Sequence, residues 1–213
     1  MSMHDGATPR DWSEPLPRRD ESDDALFYSF ERFVTHIDDG AIDAVTALYR
    51  ERLAPGSRVL DLMSSWISHL PEEMSYAEVV GLGMNGAELA RNARLDRHIV
   101  QDLNKSVALP FSAGWFDAAL ICVSVDYLAQ PTAVFRELGR VVKPRGVMVI
   151  TFSNRCFPTK VVSPWLSLDD EGRLAFVAAR VRASGQWTHI ETLDRSPSDG
   201  DPLFAVVATR IAE

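Results

Sequence analysis

The strongest constraint on the fold is a regular alternation of short apolar runs with stretches of helical periodicity between residues 58 and 152. The apolar runs predict strands at residues 58–62, 77–80, 98–101, 116–123 and 147–152, and the periodic stretches predict helices at residues 87–94 and 132–142. The fourth run is almost wholly apolar, as expected for a strand that is buried on both faces. This alternation predicts a doubly wound α/β fold with a parallel sheet, and ligands at the carboxyl ends of its strands.

The carboxyl-terminal part of the chain departs from this alternation. Asp169 and Asp170 are suited to cap a helix that runs to Gly185. Two further strands are predicted at residues 187–193 and 203–209, joined by a segment rich in turn-forming residues. We therefore expect a seven-stranded sheet that is mostly parallel and closes with an antiparallel hairpin at one edge.

The amino-terminal part precedes the alternating region. Residues 1–24 combine prolines and charges without apolar periodicity, so we expect an arm or a surface strap, with Trp12 as its anchor. Residues 25–213 are expected to form one domain. Within it, residues 25–52 are predicted to hold two helices, which could cover the mouth of the site as a lid. The first predicted helix begins at Asp24 and carries the apolar positions Leu26, Phe27, Phe30, Phe33, Val34 and Ile37.

Composition narrows the class of protein. Hydrophobic residues make up 46% of the chain, which is typical of a globular protein. The formal net charge of −8 argues against a surface that coats nucleic acid. The sequence contains no apolar run long enough to span a membrane and no apolar signal core at its start, and its two cysteines lack metal or redox spacing. We therefore expect a reduced cytoplasmic protein; the sequence does not indicate its oligomeric state.

Two segments could hold a nucleotide. The first is residues 81–86, which read GLGMNG, a G-x-G-x-x-G pattern between a predicted strand and a predicted helix. Asp102 lies about 20 residues further on, near the spacing of a ribose-binding acid in an NAD-binding fold. Such a short pattern is by itself weak evidence for NAD binding. The second segment is the turn after residues 59–62, which continues as Met63-Ser-Ser-Trp66.

Sequence motifs on either side of the fourth predicted strand distinguish these two possibilities. They are LPF at residues 109–111, WFDAAL at 115–120, ELGRVVKPRG at 137–146 and VMVI at 147–150. Their order and spacing resemble the class I S-adenosylmethionine-dependent methyltransferases, in particular the small-molecule, type 11-like branch. The resemblance covers residues 40–213 and includes the terminal hairpin. It implies a Rossmann-like fold, methyl transfer from S-adenosylmethionine to a small molecule by in-line displacement, and a ribose site near residues 81–86.

The chain departs from this family at two places. The family's first turn usually reads D-x-G-x-G-x-G, whereas here Asp61 is kept and the glycine positions hold Met63, Ser65 and Ile67. The acid that usually ends the second strand and accepts both ribose hydroxyls is replaced by Gly83. Loss of hydrogen bonds to a charged acceptor predicts roughly 10- to 150-fold weaker cofactor binding. Our hypothesis is that the cofactor binds through an altered turn.

The resemblance assigns candidate cofactor-binding residues along three strand ends. Asp61 would organise the first turn and the amino group of the cofactor; capping of the following helix is the less favoured alternative. Asp102 and Leu103 would receive the adenine. The full set is Asp61, Met63, Ser64, Ser65, Gly83, Met84, Asp102, Leu103, Cys122, Val123 and Ser124.

Candidate catalytic residues follow the fourth predicted strand. Asp126 and Tyr127 would face the substrate, where Asp126 could stabilise the sulfonium or accept a proton, or could simply be a solvated acid. For the substrate or a lid we single out Tyr28, His36, Asn154 and Arg155, although aromatic residues at helical spacing are commonly core. Arg155 and Lys160 could attract an anionic substrate. The histidines are scattered, so no metal site is predicted.

Two other functional interpretations remain open. The altered turn and Gly83 also fit a methyltransferase-like fold that has lost catalysis and serves as a binding or partner module. An NAD-binding protein that uses residues 81–86 is the third possibility. Bound cofactor would favour the enzyme, a pocket filled by Met63 and Trp66 the inactive module, and bound NAD the third possibility, so a thermal-shift panel of S-adenosylmethionine, its demethylated product and NAD ranks them.

Overall fold

A computed structural model describes residues 14–212 of the chain. Its centre is a seven-stranded sheet in the order β3-β2-β1-β4-β5-β7-β6. The pairs among β1 to β5 are parallel, whereas β7 runs antiparallel to both β5 and β6. The strands are β1 (Arg58–Leu62), β2 (Glu78–Gly83), β3 (Arg97–Val100), β4 (Phe116–Cys122), β5 (Val142–Phe152), β6 (Trp187–Asp194) and β7 (Phe204–Arg210). The predicted doubly wound sheet with a closing hairpin is therefore confirmed.

Helices cover both faces of this sheet. On one face, apolar side chains of α4 and α5 pack with Leu60 and Leu62 of β1. On the other face, Val45 and Leu48 of α2 pack with Val59, because successive strand residues point to opposite sides. The helices are α1 (Asp24–Phe27), α2 (Asp39–Arg52), α3 (Gly86–Arg91), α4 (Pro131–Val141) and α5 (Asp170–Ala183), with 3-10 turns at Val125–Tyr127 and Ser163–Ser167. Across the described residues, no helix is long and apolar enough to cross a bilayer.

The prediction of an amphipathic helix from Asp24 to Ile37 was wrong, because α1 ends at Phe27. Two of its apolar positions have no core to pack on, since Phe30 is 75% exposed and Val34 is 53% exposed, whereas Ile37 at its end is buried beside α2. Polar groups of the segment instead bond to other elements, as when the Trp66 indole N–H donates to the Val34 carbonyl oxygen (3.0 Å). Residues 28–38, called the covering segment below, therefore form an irregular stretch of chain.

Residues 14–23 lie along two segments, the one that follows β4 and the one that follows β5. The Leu16 amide donates to the Ala129 carbonyl (2.8 Å), and the Asp20 amide donates to the Thr159 carbonyl (2.9 Å). Trp12, the proposed anchor, lies outside the described residues.

A buried ion-pair network fastens this stretch of chain. The Arg18 guanidinium lies 2.6 Å from the Asp24 carboxylate, and the Lys160 ammonium lies 3.1 Å from Asp20 and 3.2 Å from Asp24. Lys160 is only 1% exposed. The idea that Lys160 attracts substrate was therefore wrong, because its buried charge is paired with Asp20 and with the buried Asp24.

Candidate cofactor and active site

A cavity of about 540 Å³ opens at the carboxyl ends of β1, β2 and β4. Its position beside the junction of β1 and β4, where the strand order reverses, is the usual ligand site of doubly wound sheets. The covering segment contributes Tyr28, Arg32 and His36 to its wall, and the chain after β5 contributes Asn154 and Arg155. Its volume lies within the range of small-molecule and cofactor sites.

The turn after β1 is held by side chains in place of glycines. The Asp61 carboxylate accepts hydrogen bonds from the hydroxyls of Ser64 and Ser68, each at 2.6 Å. Burial raises the pKa of Asp61 to about 6, although these two hydroxyls counteract the shift. Met63 adopts φ = 57°, a left-handed conformation that favours glycine. The turn therefore keeps a glycine-like backbone at Met63 without a glycine.

This turn also explains why residue 83 is a glycine. The Ser64 amide donates to the Leu82 carbonyl at 2.8 Å, which draws the turn across the end of β2. A Cβ atom on Gly83 would overlap the Ser64 carbonyl oxygen. The altered turn and the missing ribose-binding acid are therefore one structural change, because the turn occupies the space that the acid would need.

Gly81 has a separate packing role. It lies inside β2, where a Cβ atom would overlap the Leu95 side chain. Close packing thus accounts for this glycine of the G-x-G-x-x-G pattern.

Glu88 is a wall residue that the sequence analysis missed. It lies in α3 and accepts a hydrogen bond from the Ser65 hydroxyl at 2.6 Å and another from the Arg32 amide at 2.7 Å. Its carboxylate thereby joins the turn after β1 to the covering segment. These partners are 23 and 56 residues away along the chain, so the sequence could not reveal the contacts. The one signal in the sequence was weak, namely that an acidic residue lies in the helix after β2.

The far end of the cavity is built around Asp102 and Leu103, which follow β3. The Asp102 carboxylate accepts the Asn104 amide at 2.8 Å. The Asn104 side chain in turn donates to the Asp24 carboxylate and to the Tyr127 carbonyl, each at 3.0 Å. Asn104 was also missed by the sequence analysis; it ties the predicted adenine site to α1 and to the chain after β4.

The carboxyl end of β4 places Cys122, Val123 and Ser124 on the cavity wall. The Ser124 hydroxyl is shielded from solvent and has no hydrogen-bond partner among the described residues. A buried polar atom without a partner is costly, so a ligand atom bonded to this hydroxyl would stabilise the site.

The two predicted catalytic residues differ in position. Tyr127 lies on the wall, and its hydroxyl oxygen accepts the Phe157 amide at 2.8 Å. Burial raises the pKa of Tyr127, so its hydroxyl keeps its proton and can donate it in a hydrogen bond. Asp126 is not among the wall residues; it is 3% exposed, and burial raises the pKa of its carboxyl to about 8. This position off the cavity wall argues against the predicted contact between Asp126 and the substrate.

Aromatic rings surround the Arg32 guanidinium above the cavity. Its carbon lies 4.4 Å from the centroid of Phe27, 5.7 Å from that of Phe157 and 5.9 Å from that of Tyr28. His36 contacts Phe157 edge to face at 5.5 Å. The covering segment is therefore packed on the chain that follows β5, over the mouth of the cavity.

The structure brings every predicted site residue except Asp126 and Lys160 to this one cavity. The remaining members, Met84 and Gly83, lie on the wall beside Asn85, whose side chain caps α3. Among residues 14–212, no group of three His, Cys, Asp or Glu side chains is arranged to hold a metal ion.

Comparisons with known proteins agree with this architecture. The family model described as "Methyltransferase domain" matches residues 64–150. A demethylmenaquinone methyltransferase of Corynebacterium kroppenstedtii is 33% identical over 167 residues, which cover 68% of this chain and 69% of that protein.

Two solved structures share the fold at low sequence identity. The PH0226 protein of Pyrococcus horikoshii is 18% identical with a TM-score of 0.60, covering 87% of this chain and 98% of that one. A phosphoethanolamine N-methyltransferase of Haemonchus contortus in complex with S-adenosyl-L-methionine is 14% identical with a TM-score of 0.58, covering 79% and 52%. The Corynebacterium relative and the family model identify the chain as a member of the class I S-adenosylmethionine-dependent methyltransferase family, whose fold the two solved structures share.

Proposed function

We propose that the chain transfers a methyl group from S-adenosylmethionine to a small aromatic molecule bound beneath the covering segment. The observation that carries this proposal is the single cavity that joins Asp102, the altered turn and Ser124 at the carboxyl ends of the strands. S-adenosylmethionine supplies an electrophilic methyl group that a nucleophile can displace in line. The complex of the Haemonchus neighbour with this cofactor supports the assignment.

The residues present fit this cofactor. The cavity volume suits a nucleotide-sized ligand, and the unpartnered Ser124 hydroxyl offers a donor to the amino-acid part. Asp102 offers a carboxylate acceptor for the adenine, and Leu103 gives an apolar surface beside it. The position that would hold the usual ribose-binding acid is closed by the Ser64 carbonyl, so this part of the site must differ from the family pattern.

The aromatic acceptor is supported by the rings that line the cavity. Tyr28, Tyr127 and Phe157 present flat apolar surfaces, and ring-to-ring contacts add to the gain from burial. The name of the Corynebacterium relative points to a quinone-type ring compound as that protein's acceptor. The Tyr127 hydroxyl, protonated and fixed by Phe157, would donate to an oxygen of the acceptor and orient it.

The chain would promote the reaction mainly by positioning and by excluding water. Alignment of two reactants converts a bimolecular step into an effectively unimolecular one. The covering segment, held by Trp66 and Glu88, would keep water out of the cavity. Because Asp126 lies off the wall, we assign no proton transfer to it.

The location of the protein in the cytoplasm remains a prediction.

A thermal-shift panel with S-adenosylmethionine, its demethylated product and NAD tests the cofactor assignment. At 100 times its dissociation constant a ligand stabilises the folded state by about 2.7 kcal/mol. For a chain of this size that corresponds to a rise in Tm of roughly 5–10 °C. We expect both sulfur compounds to raise the Tm and NAD to leave it unchanged. A rise with NAD alone, or no rise with any ligand, would overturn the proposal.

Methyl transfer is tested separately with a labelled methyl donor. Incubation with small phenols and quinols should move the label into the organic product, and Tyr127→Phe should lower the rate without lowering the Tm shift produced by the cofactor. Cofactor binding without transfer to any acceptor would instead favour a binding protein with this fold.

A further inference from the structure

The chain cannot carry a ribose-binding acid at position 83, so the ribose hydroxyls need another acceptor. A Cβ atom at Gly83 would meet the Ser64 carbonyl oxygen, and that oxygen belongs to a turn fixed by two further hydrogen bonds of Ser64. Without a charged acceptor the hydroxyls would bind less tightly. A second carboxylate near this turn would restore the lost interaction.

Four carboxylates lie on the cavity wall, and three of them have other roles. Asp61 is buried and accepts two serine hydroxyls. Asp24 is bound by Arg18, Lys160 and Asn104. Asp102, which follows β3, is the proposed adenine acceptor and already holds the Asn104 amide. This leaves Glu88.

Glu88 is well placed next to the closed position. Its carboxylate accepts the hydroxyl of Ser65, the residue directly after the one whose carbonyl covers Gly83. The side chain is only partly buried, and no cationic group lies within 4 Å of its carboxylate among residues 14–212. A carboxylate has about four acceptor positions, and Ser65 and Arg32 use two of them. Two positions remain, which is the number that a pair of ribose hydroxyls requires.

We propose that Glu88 replaces the family's acid at the end of β2 and accepts the ribose hydroxyls of the cofactor. This inference rests on the proposed function. The carboxylate has thereby moved from the strand end to α3, while the altered turn occupies its former place. Glu88 also binds the Arg32 amide, so the same carboxylate that receives the ribose holds the covering segment.

Calorimetric titration with a pair of ligands tests this role. The ligands are S-adenosylhomocysteine and its 2′,3′-dideoxy counterpart, and the proteins are the wild type and Glu88→Gln. We expect Glu88→Gln to weaken binding of S-adenosylhomocysteine by about 10- to 150-fold. The same substitution should change binding of the dideoxy ligand by less than about 3-fold, because that ligand has no hydroxyl to lose.

A matched control is Glu31→Gln, which makes the same change of charge beside Arg32 at an exposed position off the cavity wall. It should leave both affinities unchanged. An equal loss for both ligands in Glu88→Gln would overturn the inference, because it would mean that Glu88 only fastens the covering segment. Should Glu88→Gln fail to fold, Glu88→Asp, which withdraws the carboxylate by one methylene, should show the same selective loss.

The failure of the proposed function gives a different result. Folded wild-type protein that binds neither ligand would overturn the cofactor assignment, and the inference about Glu88 with it. Binding of both ligands to the wild type with equal affinity would overturn the inference about Glu88 alone.

Discussion

Restoring the family's acid at position 83 should damage the protein. In Gly83→Asp, and equally in Gly83→Ala, the new Cβ atom would overlap the Ser64 carbonyl oxygen. The turn cannot move away freely, because the Ser64 amide is bonded to Leu82 and its hydroxyl to the buried Asp61. The added Cβ atom must therefore displace the backbone of Ser64, although both the amide and the hydroxyl of this residue are held by hydrogen bonds.

The magnitude follows from this fixed backbone. Overpacking of a well-packed site costs about 1–3 kcal/mol. For a chain of this size the cost corresponds to a fall in Tm of roughly 2–12 °C. We also expect weaker binding of S-adenosylhomocysteine, although a ribose-binding acid has been added.

Differential scanning calorimetry and a ligand titration of the same samples measure both effects. Gly86→Ala is the control, since its Cβ atom would meet only a methyl group of the exposed Val100 side chain at 3.3 Å. This control should melt at or above the wild-type temperature, because alanine favours a helix more than glycine does. If Gly83→Asp were as stable as the wild type and bound the ligand more tightly, our explanation of the turn would be refuted.

Three further predictions concern charged residues. Burial raises the pKa of Asp126 to about 8 from an ordinary value near 4, so its contribution to stability is complete below pH 4 and is lost as the pH rises to 8. The Tm of Asp126→Asn minus that of the wild type should therefore increase between pH 4 and pH 8.5. Lys160→Met should lower the free energy of unfolding in urea by about 1.5–3 kcal/mol, because it removes one of the two cations that pair with the buried Asp24; Lys105→Met, at an exposed ion pair, should leave it nearly unchanged. Asp102→Asn should weaken binding of S-adenosylhomocysteine without a change in Tm of the free protein; equal affinities would remove Asp102 from the cofactor site.

Much of the fold could be predicted from the sequence because strand and helix periodicities differ and alternate regularly along this chain. The covering segment could not be predicted in the same way. Phe30 and Val34 recur at helical spacing, but no neighbouring element offers them a core, and the backbone of this segment bonds to Trp66 and Glu88 instead. Local pattern therefore predicted a helix that tertiary contacts do not support.

The site was predicted in its location and less well in its details. Strand ends and family motifs placed Asp61, Asp102 and Ser124 on one cavity. The sequence also marked Gly83 as a departure from the family pattern. The position of the Ser64 carbonyl oxygen over Gly83 could not be predicted, because it depends on β1 and β2 being paired in the folded protein. Glu88 escaped notice for the same reason, since its partners come from distant parts of the chain.

A crystal structure of the protein grown with S-adenosylhomocysteine tests the central claim most directly. The account predicts adenine beside Asp102, ribose hydroxyls on Glu88, the amino-acid part near Ser124, and an unchanged turn at Met63. A cavity without ligand, filled by the side chains of Met63 and Trp66 under conditions that saturate a related methyltransferase, would contradict it.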